Sequence, residues 1–247
     1  MPTNRRIVLE SRPKAAATTS NFRLEEVAVP TLQPGQFLVR NHWLSLDPYM
    51  RGRMNESRSY AQPQALGEVM QGGTAGEVIE SRNPAFAVGS KVVAYLGWQE
   101  YGVSDGTGVF KVDTRHVPLS AYLGPVGMPG VTAWYGLNRV IDPRDGHTIV
   151  VSAASGAVGS VVGQLARIRG LRAIGFAGGP EKCRYVTDEL GFDACIDYKS
   201  EKTPADLSKR LKDAAPNGVD GYFENVGGAV MNAVLPRMNT YGRIALC

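Results

Sequence analysis

The chain has 247 residues, enough for one large or two ordinary domains. Charged residues make up 20% and hydrophobic ones 43%, the balance of a globular protein rather than a disordered or fibrous one. The net charge of +4 comes with no stripe of Lys and Arg interleaved with aromatics, which argues against a nucleic-acid partner, and no apolar run approaches the roughly 18–20 residues that span a bilayer.

Met1 to Pro13 carries arginines without an apolar stretch after them, so it does not look like a secretory signal. The three cysteines, Cys183, Cys195 and Cys247, show no CxxC spacing. That usage fits a reducing, cytoplasmic setting with no disulfide framework. Along the chain, the first half is β-rich. Arg5–Glu10, Phe22–Val29, Gln36–Ser45, Gly72–Glu80, Lys91–Leu96, Tyr101–Val103 and Val109–Val112 are short apolar runs set between turn residues such as Pro30, Pro34 and Gly35. Such spacing predicts a compact, partly open barrel.

The texture changes after Pro118. Helices are expected at Leu119–Leu123 and Gly130–Val140. Strict alternation follows: strands at Thr148–Ser152, Arg172–Ala177, Ala194–Asp197, Gly221–Glu224 and Gly242–Leu246, with helices at Gly156–Gly170, Glu181–Leu190, Thr203–Ala214 and Val230–Met238. Five strands in βαβ order call for a parallel, doubly wound sheet. We therefore expect an α/β protein with a domain at 1–122 and a dinucleotide-binding domain at 123–247. Its last strand ends at Cys247, where a ligand loop and a sixth strand are expected to continue, so the second domain is expected to be incomplete at that end.

The strongest motif is Val150-Val151-Ser152-Ala153-Ala154-Ser155-Gly156-Ala157-Val158-Gly159. It follows an apolar strand and opens a helix. Against GxGxxG, the first glycine is replaced by Ala154. Gly156 lets the backbone approach a pyrophosphate, and Gly159 lets the helix pack on the strand. Free N–H groups and the positive end of the helix dipole then face the phosphates. A tight strand–helix turn without a ligand would share part of this pattern. The second strand ends in small residues, Gly178-Gly179, rather than the Asp or Glu that holds a ribose 2′-hydroxyl in NAD-binders. Lys182 follows and suits a 2′-phosphate, unless it is simply a solvated helix residue. Glu181 beside it fits the first turn of a helix.

His42, His116 and His147 lie far apart and no four-cysteine cluster exists, so no metal site is expected. No GxSxG elbow, P-loop or HExxH occurs. Chemistry must then come from the cofactor, with hydroxyls and N–H groups stabilising developing charge. Two segments stand out as candidate functional loops, Leu44–Met54 and Ser57–Pro63, with Tyr49 and Tyr60 as candidate substrate-pocket residues. A packed Tyr49 and a merely exposed Tyr60 are the bland alternatives.

Leu46-Asp47-Pro48-Tyr49-Met50-Arg51-Gly52-Arg53-Met54 is similar to a signature of the zinc-free prostaglandin reductase and alkenal/one reductase branch of the medium-chain dehydrogenase/reductase superfamily. So are Gly127–Leu137, Ala153–Gly163, Ala177–Cys183 and Glu224-Asn225-Val226-Gly227-Gly228. Within that branch the chain resembles the bacterial NADPH-dependent curcumin reductases. The resemblance implies a GroES-like barrel domain followed by a Rossmann domain, with about 90 further residues after Cys247. It departs from zinc alcohol dehydrogenases at Gly67-Glu68-Val69, where those carry Gly-His-Glu. It implies NADP(H) as cofactor. Gly156, Ala157, Val158 and Gly159 would lie at the pyrophosphate, and Lys182 and Tyr198 at the 2′-phosphate and ribose. Asn225, Met128, Thr132 and Cys247 would lie toward the nicotinamide. Tyr49 and Tyr60 become catalytic candidates. The implied reaction is NADPH-dependent reduction of the carbon–carbon double bond of enones or enals, by a homodimer. The alternatives are a quinone reductase on the same site, or a non-catalytic nucleotide-binding fragment.

Overall fold

A computed structural model of the chain describes residues 3–57, 59–201 and 203–247. It divides into two compact units, Met1–Leu123 and Gly124–Cys247.

In the first unit, β1 (Thr3–Leu9) and β2 (Phe22–Ala28) pair antiparallel from Thr3 opposite Ala28 to Leu9 opposite Phe22. Five more strands form a second antiparallel sheet: β3 (Phe37–Leu44), β4 (Thr74–Ser81), β5 (Lys91–Ala94), β6 (Tyr101–Ser104) and β7 (Phe110–Lys111). Their order is β6-β3-β4-β5-β7. Single bridges, Arg6 to Gln99 and Val8 to Val69, tie the ribbon to this part of the unit. Register shifts between Leu38 and Val39, and between Asn41 and Trp43, are bulges that increase the local twist of β3. Phe37, Val39, Val78 and Val92 are fully buried between the strands, and Phe86 stacks on Phe37 with centroids 4.3 Å apart. Among the described residues the terminal strands β6 and β7 do not pair with each other, so the sheet is open there.

The segment expected as a loop around Tyr49 is a short helix, α1 (Tyr49–Arg53). Pro48 starts it, its fixed φ of −56° already helical. Arg51 on this helix donates to the carbonyls of Pro13 (3.2 Å) and Ala15 (3.0 Å) and to Asn55 Oδ1 (2.7 Å), which pins the 13–15 segment to the unit.

The second unit holds five parallel strands: β8 (Thr148–Val151), β9 (Arg172–Ala177), β10 (Ala194–Asp197), β11 (Val219–Glu224) and β12 (Met238–Leu246). Their order is β10-β9-β8-β11-β12, so the direction of winding reverses between β8 and β11. Helices α2 (Met128–Tyr135), α3 (Gly159–Ile168), α4 (Pro180–Arg184), α5 (Pro204–Ala214) and α6 (Gly228–Val234) accompany the strands. The central strands β8, β9 and β11 bury both faces. Val151 joins a core with Val162, Ala166 and Phe223, while Val150 joins another with Phe176, Leu207 and Tyr222. This explains the unbroken Ile149-Val150-Val151 run where a half-exposed strand would alternate.

Several helix ends differ from the sequence expectation. The helix expected at Gly156–Gly170 starts at Gly159, because residues before it are held in a tight turn with Ala153 at φ 48°. The expected Gly130–Val140 helix is α2 followed by a π-helical stretch, Gly136–Ile141, ended by left-handed Asp142. The expected Glu181–Leu190 helix is α4 followed by a π-helical Tyr185–Glu189. Val230–Met238 becomes α6 and a 3-10 turn, Leu235–Arg237, since Pro236 cannot donate to an α-helical ladder. Leu119–Leu123 is a 3-10 helix rather than an α-helix.

Candidate functional site

The turn between β8 and α3 lies beside the reversal point of the sheet, at the carboxyl ends of β8 and β11. Open α/β sheets form their ligand crevice at such a place. Gly156 N–H closes the turn on Ala153 O at 2.8 Å. The N–H groups of Ala157 and Val158 find no protein acceptor among the described residues. Gly159 is fixed by space: a Cβ there would lie 2.4 Å from Ala153 O. At Gly156 the nearest atom to such a Cβ is 3.0 Å away, so this glycine is less crowded by the protein. Ala154, standing in the first fingerprint position, is fully buried. Its methyl fills the space over Gly175 of β9, where a Cβ would come within 2.7 Å of it.

A buried polar network underlies this turn. Glu224, 1% exposed at the end of β11, accepts from Ser152 Oγ (3.1 Å), from the N–H of Gly227 (2.6 Å), and from the Val226 N–H and the Tyr222 hydroxyl. Ser152 Oγ accepts the Asn225 N–H at 2.7 Å, and the Asn225 side-chain amide donates to Ser152 O at 2.8 Å. Burial, helped by the adjacent Glu224, pushes the Tyr222 phenol far above its ordinary range, so it stays a donor. The network clamps the end of β8 to the end of β11 and holds Asn225 beside the turn. Sequence reading singled out Asn225 but gave no role to Ser152, Tyr222 or Glu224.

At the end of β9 no acid follows Ala177. Gly178 lies under the Tyr198 hydroxyl and the Lys199 side chain, which would stand 2.8 and 3.0 Å from a Cβ there. Asp197 Oδ1 accepts the N–H groups of Gly179 (2.8 Å) and Lys199 (2.9 Å), which closes this corner. Lys182 is exposed on the short α4, three residues beyond Gly179. Tyr198 therefore sits at the β9 corner, with Lys199 as a cation that sequence reading missed. Its adjacency to Tyr198 was the available signal.

Thr132 and Cys247 come together in a cavity of about 420 Å³, with Val131, Tyr135, Phe223 and Leu246 also lining it. The Cys247 N–H continues the sheet by donating to Glu224 O at 2.9 Å. Burial raises the pKa of its thiol. Met128, the first residue of α2, is exposed and does not line this cavity. Its carbonyl accepts the Thr132 hydroxyl at 2.9 Å.

In the first unit, Tyr49 hydrogen-bonds the hydroxyl of Tyr95. Burial, then that hydroxyl, pushes the Tyr49 phenol well above its ordinary range. Arg53 stacks on Tyr60, its guanidinium carbon 4.4 Å from the ring centroid, and lies 6.0 Å from the Tyr49 ring. Tyr60 is 86% exposed. The unit thus gathers both sequence-predicted tyrosines around Arg53, and adds Tyr95, which no spacing or motif pointed to.

Residues 5–112 match a family model described as the N-terminal domain of oxidoreductase, and residues 157–247 one described as zinc-binding dehydrogenase. The NADPH-dependent curcumin reductase of Escherichia coli (strain K12) is 48% identical over 99% of this chain and 70% of its own length. The chain belongs to the medium-chain dehydrogenase/reductase superfamily. The NADP(+)-dependent 2-alkenal reductase of Nicotiana tabacum, another member, is 41% identical over 99% of this chain and 72% of its own length. The crystal structure of CurA in complex with NADPH from Vibrio vulnificus superposes with a TM-score of 0.91 at 50% identity, covering 98% of this chain and 71% of that one. The zinc in the second family description does not extend to a visible ligand set. No group of three or more His, Cys, Asp or Glu side chains able to hold a metal ion occurs among the described residues. Nor, among those residues, is any helix long and apolar enough to cross a membrane.

Proposed function

We propose that this chain reduces the carbon–carbon double bond of α,β-unsaturated ketones and aldehydes with NADPH. In this reading the Gly124–Cys247 unit holds the nucleotide and the Met1–Leu123 unit contributes to the substrate pocket. The observation that carries it is the β8–α3 turn. Gly159 is packed against Ala153, the Ala157 and Val158 N–H groups find no protein acceptor among the described residues, and Tyr198 and Lys199 stand over Gly178 at the end of β9, where no acid follows Ala177. These residues fit a dinucleotide carrying a 2′-phosphate. The NADPH- and NADP-dependent names of the relatives agree with that fit.

When bound, NADPH supplies the hydride. The protein's residues do the rest. The N–H groups of Ala157 and Val158, at the positive end of α3, hold the pyrophosphate, with Gly156 allowing close approach. Lys182, Lys199 and Tyr198 take the 2′-phosphate and adenosine ribose. Asn225, fixed by Ser152 and Glu224, and Thr132 and Cys247 at their cavity orient the nicotinamide end, with Met128 at the start of the same helix as Thr132. Tyr49 and Tyr60 donate to the carbonyl oxygen of the enone as negative charge develops there. The raised pKa of Tyr49 keeps its hydroxyl protonated for that task. We place the enzyme in the cytoplasm as a homodimer, on the family resemblance and on its three free cysteines.

Lys182→Glu tests the reading. Replacing the cation by an anion should weaken NADPH binding by at least about tenfold, one charge-assisted contact or more, while NADH binding changes little. The measurement is a fluorescence titration of both cofactors, followed by loss of nicotinamide absorbance on adding an enone. Equal weakening of both cofactors would remove the 2′-phosphate assignment. NADPH binding with turnover of quinones and not of enones would replace the substrate class.

A further inference from the structure

The second unit carries two thiols that the proposed chemistry does not use. Cys183 lies on the short α4 and Cys195 on β10, and both are free and half-buried. They pack against the same core and beside the same strand. Cys183 Sγ lies 4.0 Å from the Ala177 carbonyl of β9, and Cys195 pairs in register with Gly175, two residues earlier on that strand. Gly175 leaves room for this arrangement, since a Cβ there would come within 3.3 Å of Cys195 Sγ. Between the two cysteines the chain turns back through Gly191 at φ 72°, which returns it from α4 to β10. The thiols thus meet. Burial first, then the Cys183 thiol, raises the pKa of Cys195. Both cysteines also adjoin the β9 corner. Cys183 directly follows Lys182, and Cys195 precedes Tyr198 by three residues and Lys199 by four.

We infer that Cys183 and Cys195 form a redox-modification site, which a low-molecular-weight disulfide such as glutathione disulfide converts to an intramolecular disulfide, and that this bond draws Lys182 away from the 2′-phosphate corner. The effect on the cofactor rests on the NADPH reading; the disulfide does not. Burial keeps Cys195 protonated, so Cys183 is the attacking sulfur. Its thiolate forms a mixed disulfide and expels one glutathione thiolate. Cys195 then loses its proton, attacks Cys183 Sγ and expels the second. Two protein thiols are oxidised, one glutathione disulfide is reduced to two thiols, and the two protons end on the glutathione sulfurs. A disulfide holds its sulfurs about 2 Å apart, well inside the contact of two thiols. The helix that must move is five residues long, and Lys182 is bonded to Cys183, so Lys182 shifts against Tyr198 and Lys199. Bonds of this kind in reducing compartments are transient and redox-sensing rather than structural.

The test treats the folded full chain with glutathione disulfide, blocks the remaining thiols and maps tryptic peptides without reduction. Cleavage after Lys182, Arg184 and Lys199 should leave the dipeptide Cys183-Arg184 linked to the peptide 185–199. Absence of that link, oxidation confined to mixed glutathione adducts, or a link that forms only after unfolding in urea overturns the site. Near-ultraviolet circular dichroism of the same samples reports the fold. Titrations with NADPH and NADH then compare the oxidised and reduced chains. NADPH affinity should fall about tenfold on oxidation, the scale of one charge-assisted contact, and NADH affinity by less. Dithiothreitol should restore it. By reciprocity, saturating NADPH should lower the equilibrium constant for disulfide formation by the same factor. Cys195→Ser should form no link and lose the response to oxidation; should it fail to fold, Cys183→Ser and the native-chain reciprocity decide. A linked chain with unchanged NADPH affinity, or a response that survives in the serine variants, overturns the coupling. Equal weakening of both cofactors, or no NADPH binding in either state, counts against the 2′-phosphate reading and leaves the disulfide site.

Discussion

Replacing Glu224 should separate the nucleotide turn from its support. The carboxylate is 1% exposed and accepts from four donors: the Tyr222 and Ser152 hydroxyls and the N–H groups of Val226 and Gly227. Glu224→Ala takes this acceptor from all four, and only Ser152 Oγ keeps another, the Phe223 carbonyl at 3.4 Å. Tyr222 and Ser152 are themselves fully buried and cannot turn to bulk water. An orphaned buried donor costs about 1–3 kcal/mol, and water entering the vacated space recovers some of that loss. We expect about 3–5 kcal/mol of lost stability, the range seen when a buried charged network loses a member. Glu224→Gln should be far milder. Its carbonyl oxygen keeps the bonds now made to Oε1, and only Tyr222 meets an amide nitrogen, for which its hydroxyl can serve as acceptor. About 1–2 kcal/mol is expected for that variant. Denaturant unfolding of the three proteins, with m-values compared, reads these differences. A Glu224→Ala variant within about 1 kcal/mol of the native chain would refute the network's structural weight, as would a Glu224→Gln variant equally costly.

Gly159→Ala should destabilise the second unit by about 1–3 kcal/mol, the usual cost of forcing a methyl into packed backbone. A Cβ at that position would lie 2.4 Å from Ala153 O, so the turn must open, and NADPH affinity should fall with it. Thermal melts and cofactor titration check both, and an unchanged Tm and Kd would show that the turn is pliable. In the first unit, hydrogen bonds from Arg6 and then Arg23 hold the Glu25 carboxyl below its ordinary range. A lowered folded pKa means that the contribution is present above the ordinary carboxylate value and is lost as pH falls through the lowered one. Glu25→Gln should therefore flatten the decline of stability on acidification below about pH 4.5, with little change in slope near neutrality. Melts of both proteins across that interval decide; parallel curves would remove Glu25 from the acid response.

The alternation of strand and helix after residue 147 was legible because parallel strands bury both faces, and a run such as Thr148-Ile149-Val150-Val151 admits few other readings. Helix ends were less legible. The π-helical stretches at Gly136–Ile141 and Tyr185–Glu189 keep the apolar period of a helix while changing its hydrogen bonds, and composition does not record that change. The site divides along the same line. Gly156, Gly159 and Lys182 stood out because turn geometry and cofactor charge restrict the residue type at one place in the chain. Tyr95 did not, since it matters only through Tyr49, which folding brings beside it, and Lys199 offered only its adjacency to Tyr198 until folding set it over Gly178.

Ala154 shows why such restrictions must be read in pairs. As a departure from the first glycine of the fingerprint it looks like a weakness in the motif. In the fold its methyl occupies the space that a side chain on Gly175 would need, with only 2.7 Å between them. Ala154 and Gly175 therefore act as one steric unit across β8 and β9: a side chain is allowed at one position because it is absent at the other. The close strand–turn packing is met here by a methyl on one strand facing a glycine on the next. A linear pattern that scores position 154 alone counts a loss, whereas the pair keeps β8 and β9 close beside the turn that carries Gly156.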